Sequence, residues 1–461
     1  MPSLPNAPTP RPTAGVPRDY QFPRVDRARL ANGLRVVVAP VTKLPLVTVF
    51  AVLEAGASLE RRGQEGVAAL TARLLLEGAA GQDGAALAER FERIGASVDA
   101  HADWDVAAVS LTTMRARLPD AMSLVRDLLR APDFPEREVQ RLKEERLAEL
   151  LQQRAEPRGL ADEQFSRAVY RPAARYAMPE GGDPVTVRGL TRDDVRSFYR
   201  QHFQPAGCTL VFAGDVSMST AQRLSEALFG DWTGGAPVSA PPGVDDVQPG
   251  PLVRIVSKPD APQSELRVGH HGLVRSAPDY FDAMVMNAVL GGLFSSRINL
   301  NLREAHGYTY GAFSGFEWRR HAGPFVISTA VKSDVTTPAL REILSEIERI
   351  RREPIDQDEL TLATSYLDGV FPIRYETTAA IATALANLVI HDLPDDYHDH
   401  YRANVRAVTT EGVLRAAQEH LHPEALRILV VGDPSSTAAA LAELGHAPVE
   451  IITADGAESA P

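Results

Sequence analysis

Residues 190–215 read LTRDDVRSFYRQHFQPAGCTLVFAGD, and residues 408–433 read VTTEGVLRAAQEHLHPEALRILVVGD. Laid over one another without a gap, they bring Thr191 onto Thr409, Val195 onto Val413, His202 onto His420, Pro205 onto Pro423, and Gly214-Asp215 onto Gly432-Asp433. Each stretch encodes the same unit: a threonine able to cap a helix, a His-x-x-Pro stop, then an apolar run that closes on Gly-Asp as a strand. Landmarks held in register over this length predict two copies of one fold.

Between the copies, GGAPVSAPPGVDDVQPGP (234–251) has almost nothing to bury and reads as a linker. It divides the chain into an N-terminal domain over 25–233 and a C-terminal domain over 252–440. Residues 1–24 are a proline-rich lead expected to be disordered, and 441–461 a short acidic tail. Strand patterns mark 34–41, 46–56, 96–114, 324–333 and 427–433, and helical periodicity marks 65–78, 119–131, 136–153 and 337–353. Strands joined by short turns, with helices gathered between them, predict α+β domains built on mainly antiparallel sheets.

A net charge of -12 makes nucleic acid or an anionic membrane a poor partner, and no apolar run is long enough to span a bilayer. A peptide or small molecule fits better. The single cysteine, Cys208, lies in an apolar strand, which leaves no disulfide framework and no thiolate metal cluster. Without a secretory signal in the lead, the expected compartment is cytoplasmic, or periplasmic if a signal has been removed.

The stretch GASLERRGQEGVAALTARLLLEGAAG (56–81) resembles, in its frame, the zinc helix of the insulinase-like (pitrilysin, M16) peptidases, where Gly-x-Ala leads into H-x-x-E-H. In that family two histidines at i and i+4 and a glutamate from a second helix hold zinc, and the glutamate at i+3 activates water. Here the three motif positions carry Ala69, Ala72 and Arg73, and the distant ligand falls on Glu149, eight residues before Pro157. One carboxylate is not a zinc site, so the resemblance implies a chain that holds no metal of its own. Arg73 and Glu149 are expected either to pair across the vacated site or to be solvated helix charges.

GGLFSSRINLNLREAHGYTYGAFSG (291–315) is similar to the family's second signature, whose functional arginine and tyrosine stand seven residues apart; Arg303 and Tyr310 match that spacing. Read without the family, Arg303 is a helix-surface charge and Tyr310 a half-buried strand aromatic. Tyr308 is read as packing, although a two-residue shift in register would exchange it with Tyr310. The resemblance implies two homologous domains forming half of a clamshell. It further implies the non-zinc subunit of a heterodimeric bacterial peptidase, which lends Arg303 and Tyr310 to a peptide-cleaving site whose zinc sits in an H-x-x-E-H partner. Rival readings are a proteolytically inactive scaffold and a peptide-binding homodimer. In such enzymes substrate is held as an added strand; the corresponding strand here, 97–111, lies beside the vacated site and is read as simple sheet structure. The other histidines carry structural readings: 398–400 a solvated helix start, His202 and His420 helix-end caps, and His270 and His271 on opposite faces of a strand.

Overall fold

The computed structural model describes residues 19–454. Its strands in chain order are β1 (Asp26–Arg29), β2 (Arg35–Pro40), β3 (Leu46–Leu53), the two-residue hairpin arms β4 (Gly78–Ala79) and β5 (Gln82–Asp83), β6 (Ser97–Ala102), β7 (Ala107–Met114) and β8 (Cys208–Gly214). The second half adds β9 (Leu252–Ser257), β10 (Gln263–His271), β11 (Ala312–Phe316), β12 (Pro324–Lys332), β13 (Arg427–Gly432) and β14 (Val449–Ile452). One sheet runs β1-β2-β8-β3-β7-β6 and the other β14-β9-β13-β10-β12-β11. From β2 to β6 and from β9 to β11 the two orders match strand for strand. In each, a parallel pair (β2 with β8, β9 with β13) is followed by antiparallel neighbours. The repeat read from the sequence is therefore a repeat of topology, and the α+β expectation holds.

The repeated strands are buried on both faces, which explains their continuous apolar runs. On β8, Leu210 and Phe212 face the helices of their own half, whereas Val211 and Ala213 face the other way. That second face is covered by helix Thr378–Ile390, which comes from the C-terminal half. The exchange is reciprocal. Helix Pro157–Val169, from the N-terminal half, lays Leu160, Ala161 and Phe165 on Val256, Leu429 and Val431 of the second sheet.

Three boundaries differ from the sequence reading. Tyr20 and Phe22, assigned to the disordered lead, are packed: Tyr20 Oη donates to the Tyr375 carbonyl at 3.1 Å, and Phe22 stacks on His398 at 4.2 Å between centroids. The rest of the lead, 1–18, lies outside the described residues. The linker is partly sewn down, with Val244 buried and its carbonyl accepting the Tyr176 N–H at 3.0 Å. The expected tail contributes β14, parallel to β9, and only 455–461 lie outside the described residues. In each case one or two apolar side chains in a polar stretch find a partner far away in sequence. The predicted strand 96–114 is a hairpin, reversed where the Asp103 carboxylate accepts the N–H groups of Asp105 and Val106, each at 2.8 Å.

Candidate functional site

Helix Val67–Leu74 is the one that matches the zinc frame, and its first turn is fastened from below. The Glu60 carboxylate accepts the N–H groups of Gly66 and Ala68 at 3.1 and 2.7 Å, and the Arg175 fork grips the same carboxylate at 3.0 and 2.6 Å. Glu60 and Arg175 are both buried. Gly66 adopts φ 99°, and a Cβ there would lie 2.8 Å from the Gly181 carbonyl, so the turn needs glycine.

Ala69 and Arg73, four residues apart, line a cavity of about 550 Å3 together with Glu149. Arg73 reaches Glu145 at 2.5 Å and Glu149 at 3.4 Å, while Arg146 takes the other Glu149 oxygen at 3.1 Å. The Arg73–Glu149 pair of the sequence reading is present, with Glu145 as the nearer partner. A methyl group and a guanidinium where two imidazoles would stand leave Glu149 as the sole metal-type ligand of the frame, and two arginines already satisfy it. The donor set does not fit zinc. A different trio, Asp279, Glu419 and His420, brings three ligand atoms within 4.8 Å of one another near the far end of the repeat helix, remote in sequence from the frame.

The far wall of the cavity comes from the other half: Glu317, Arg319 and Val326. Arg319, invisible as a site residue in the sequence, is 4% exposed and lies against the rings of both Trp104 (4.3 Å) and Tyr176 (4.4 Å). Glu180 also lines the cavity, and burial, reinforced by the charge of Asp103, pushes its carboxyl up to about 7. β6 ends the first sheet and, among the described residues, leaves one edge without a strand partner, beside this cavity's Trp104 turn.

Arg303 and Tyr310 lie elsewhere and line no part of this cavity. Arg303 lies within a widened helical turn over Leu300–Ala305, and Asn301 anchors that turn by donating to Glu342 and Glu346 at 3.0 and 2.9 Å. The Arg303 guanidinium lies 4.2 Å over the Phe294 ring, its Nη1 is buried without a partner, and its nearest carboxylate, Glu304, is 3.6 Å away. Tyr310 is 94% exposed, not half-buried as its residue type suggests. Its neighbours in the chain are held: Thr329 Oγ1 donates to the Gly311 carbonyl at 3.0 Å, and Asn299 Oδ1 accepts the Ala312 N–H at 2.9 Å. Tyr308 instead packs on the core and stacks with His306 at 4.9 Å. Gly291 of the same signature touches the β11 side chains so closely that a Cβ would lie 2.5 Å from Ser314 Oγ. Arg297 of its Ser-Arg step is bidentate to Glu359, at 2.6 and 2.7 Å, and tethers the signature to helix Gln357–Arg374.

Several histidine readings change. His398 is buried against Phe22, so the 398–400 run is only half solvated. His202 packs against Phe198 with its ring tilted, and His420 pairs with Asp279, so neither caps its helix by bonding a terminal carbonyl. Arg61 stands one repeat before Asp279, which is why the two histidines meet opposite electrostatics. Cys208 is fully buried, with its thiol pushed up to about 12. Among the described residues, no helix is long and apolar enough to cross a membrane.

The chain matches the family model for the insulinase peptidases (family M16) over residues 35–178 and that for the peptidase M16 inactive domain over 189–367. An uncharacterized zinc protease of Streptomyces coelicolor is 22% identical, with 86% of this chain and 87% of that protein covered. The non-peptidase homolog YmxG of Helicobacter pylori is also 22% identical, with 85% and 90% covered. The crystal structure of a peptidase M16 inactive domain from Pseudomonas fluorescens superposes with a TM-score of 0.82 at 26% identity, over 89% of this chain and 98% of that one.

Proposed function

Given that the chain belongs to the insulinase-like peptidase family M16, we propose that it is a subunit without zinc of its own, which lends Arg303 and Tyr310 to a peptide-cleaving site held by a zinc-bearing partner of the same family. The observation that carries this reading is Tyr310: a phenol almost wholly in solvent, away from its own chain's zinc frame, on backbone pinned before it by the Tyr308 N–H to the Leu302 carbonyl at 2.8 Å and after it by the Ala312 N–H to Asn299 Oδ1. A hydroxyl presented this way is a donor waiting for an oxyanion, and one such donor is worth ~10²–10³ in rate. Arg303 keeps its planar fork free of any tight carboxylate and can grip a peptide carbonyl or steady the phenol. The relative from Helicobacter pylori that is named a non-peptidase homolog agrees with a chain that cleaves nothing alone. Exposed Phe294, Leu300 and Phe313 flank the pair, an apolar collar suited to burial under another chain.

The test is reconstitution. The full-length chain is mixed with an M16 chain carrying an intact H-x-x-E-H, and cleavage of a quenched peptide is followed. Activity is expected only in the mixture, reduced ~10²–10³-fold by Tyr310→Phe and comparably by Arg303→Ala. Cleavage that ignores both substitutions would discard the lent-residue mechanism, and chelator-sensitive cleavage by the chain alone would discard the assignment.

A further inference from the structure

A second cavity, of about 440 Å3, opens at the seam between the halves, with Arg35 and Glu54 on one side and Arg275, Arg319, Arg320 and His391 on the other. Four arginines line it in a chain whose net charge is -12. The carboxylates on its wall are Glu54 and the exposed Asp392. Glu54 is divided between Arg35 at 2.9 Å and Arg320 at 3.9 Å. Asp105 and Glu317 engage the same arginines from outside the cavity: the Arg320 backbone N–H reaches Asp105 at 3.1 Å, and Arg319 Nη2 holds Glu317. Arg275 forms no ion pair among the described residues; its guanidinium lies 3.5 Å over the Tyr280 ring and donates to Tyr397 Oη at 2.5 Å.

Of the four, Arg275 is the one without a carboxylate partner among the described residues; Arg319 is 4% exposed, and its Nε and Nη1 have no hydrogen-bond partner. Arg35 Nε and His391 Nδ1 are likewise buried and unpartnered. Buried N–H groups left open are costly, and these three residues all contribute to the wall of the same cavity. Burial and the charges of Arg275 and Arg320 hold His391 down to about 4, so at neutral pH its ring adds a hydrogen bond and no charge.

We propose that this seam cavity is a binding site for a small, multiply charged phosphate-type oxyanion. Planar guanidinium forks match phosphate oxygens two at a time, and a ring of them on a low-dielectric wall favours several negative charges over one. Because Arg35 belongs to the first half and the other three arginines to the second, a bound anion would brace the two halves.

The test uses the full-length chain and inorganic pyrophosphate, followed by calorimetric titration and by thermal melting at constant ionic strength. One saturable site is expected, weakened at least about tenfold in Arg275→Gln and in Arg35→Gln. Arg35 lies at the half-exposed rim, so its variant reports even if Arg275→Gln folds poorly. Absence of saturable binding, or equal affinity in a folded variant, would overturn the site. Citrate at matched charge binding as tightly as pyrophosphate would overturn the phosphate assignment.

Discussion

Placing histidine at 69 and 73 tests the account of the lost metal on this chain alone. Ala69 and Arg73 sit on one helical face, Ala69 is half-buried and line the same cavity as Glu149, so Ala69→His with Arg73→His rebuilds two imidazoles opposite a carboxylate. Removing Arg73 costs little. Its side chain is 34% exposed and its partners Glu145 and Glu149 are 43% and 42% exposed, which caps the loss at ~1 kcal/mol. Zinc at a hundredfold excess over its dissociation constant returns about 2.7 kcal/mol. The double variant should therefore melt slightly below the parent without metal and above it with zinc, and should retain about one zinc after gel filtration. The parent should show neither effect. Stoichiometric zinc in the parent, lost in Glu149→Gln, would refute the claim that its frame cannot hold metal. A folded double variant that takes up no zinc would refute the geometry assigned to Glu149.

Other expectations concern stability and pH. Arg175→Ala strands the Glu60 carboxylate in the core and should cost ~3–5 kcal/mol by denaturant unfolding; Arg175→Lys, which keeps the charge but loses the fork, should cost less. Tyr310→Phe should leave the melting temperature unchanged, within ~0.5 kcal/mol, because the ring is already in water. Burial holds His202, His270 and His398 at about 4, below the ordinary 6.5, so the unfolded chain takes up their protons first. Their contribution is full above pH 6.5 and is lost as pH falls toward 4; His398→Phe should flatten that acid limb by about one proton. Glu180 works in the opposite sense. Its folded value of about 7 exceeds 4.5, so its contribution is full below pH 4.5 and drains away as pH rises to 7, a slope that Glu180→Gln should remove.

What the sequence disclosed followed from local pattern. The threonine caps, the His-x-x-Pro stops and the Gly-Asp strand ends repeat because each is settled by its immediate neighbours, and they placed both halves. Thr378–Ile390 (TAAIATALANLVI) is apolar nearly all round, which announces burial but not beneath which sheet; only tertiary packing assigns it to the opposite half. EWRRHAG (317–323) reads as a charged turn, and nothing local shows that Arg319 packs on Trp104 and Tyr176 of the other half. The frame residues 69, 72 and 73 were legible because absence of a ligand is written in residue type alone. Tyr310 was legible as a position, but its exposure depended on the pinned backbone around it.

The reciprocal loan of helices has a mechanical consequence. Each half wears a cover that belongs to the other, so prising them apart would strip two sheet faces at once. The polypeptide must then behave as a single stiff shell, with residues 234–251 tying its halves together and not acting as a hinge between them.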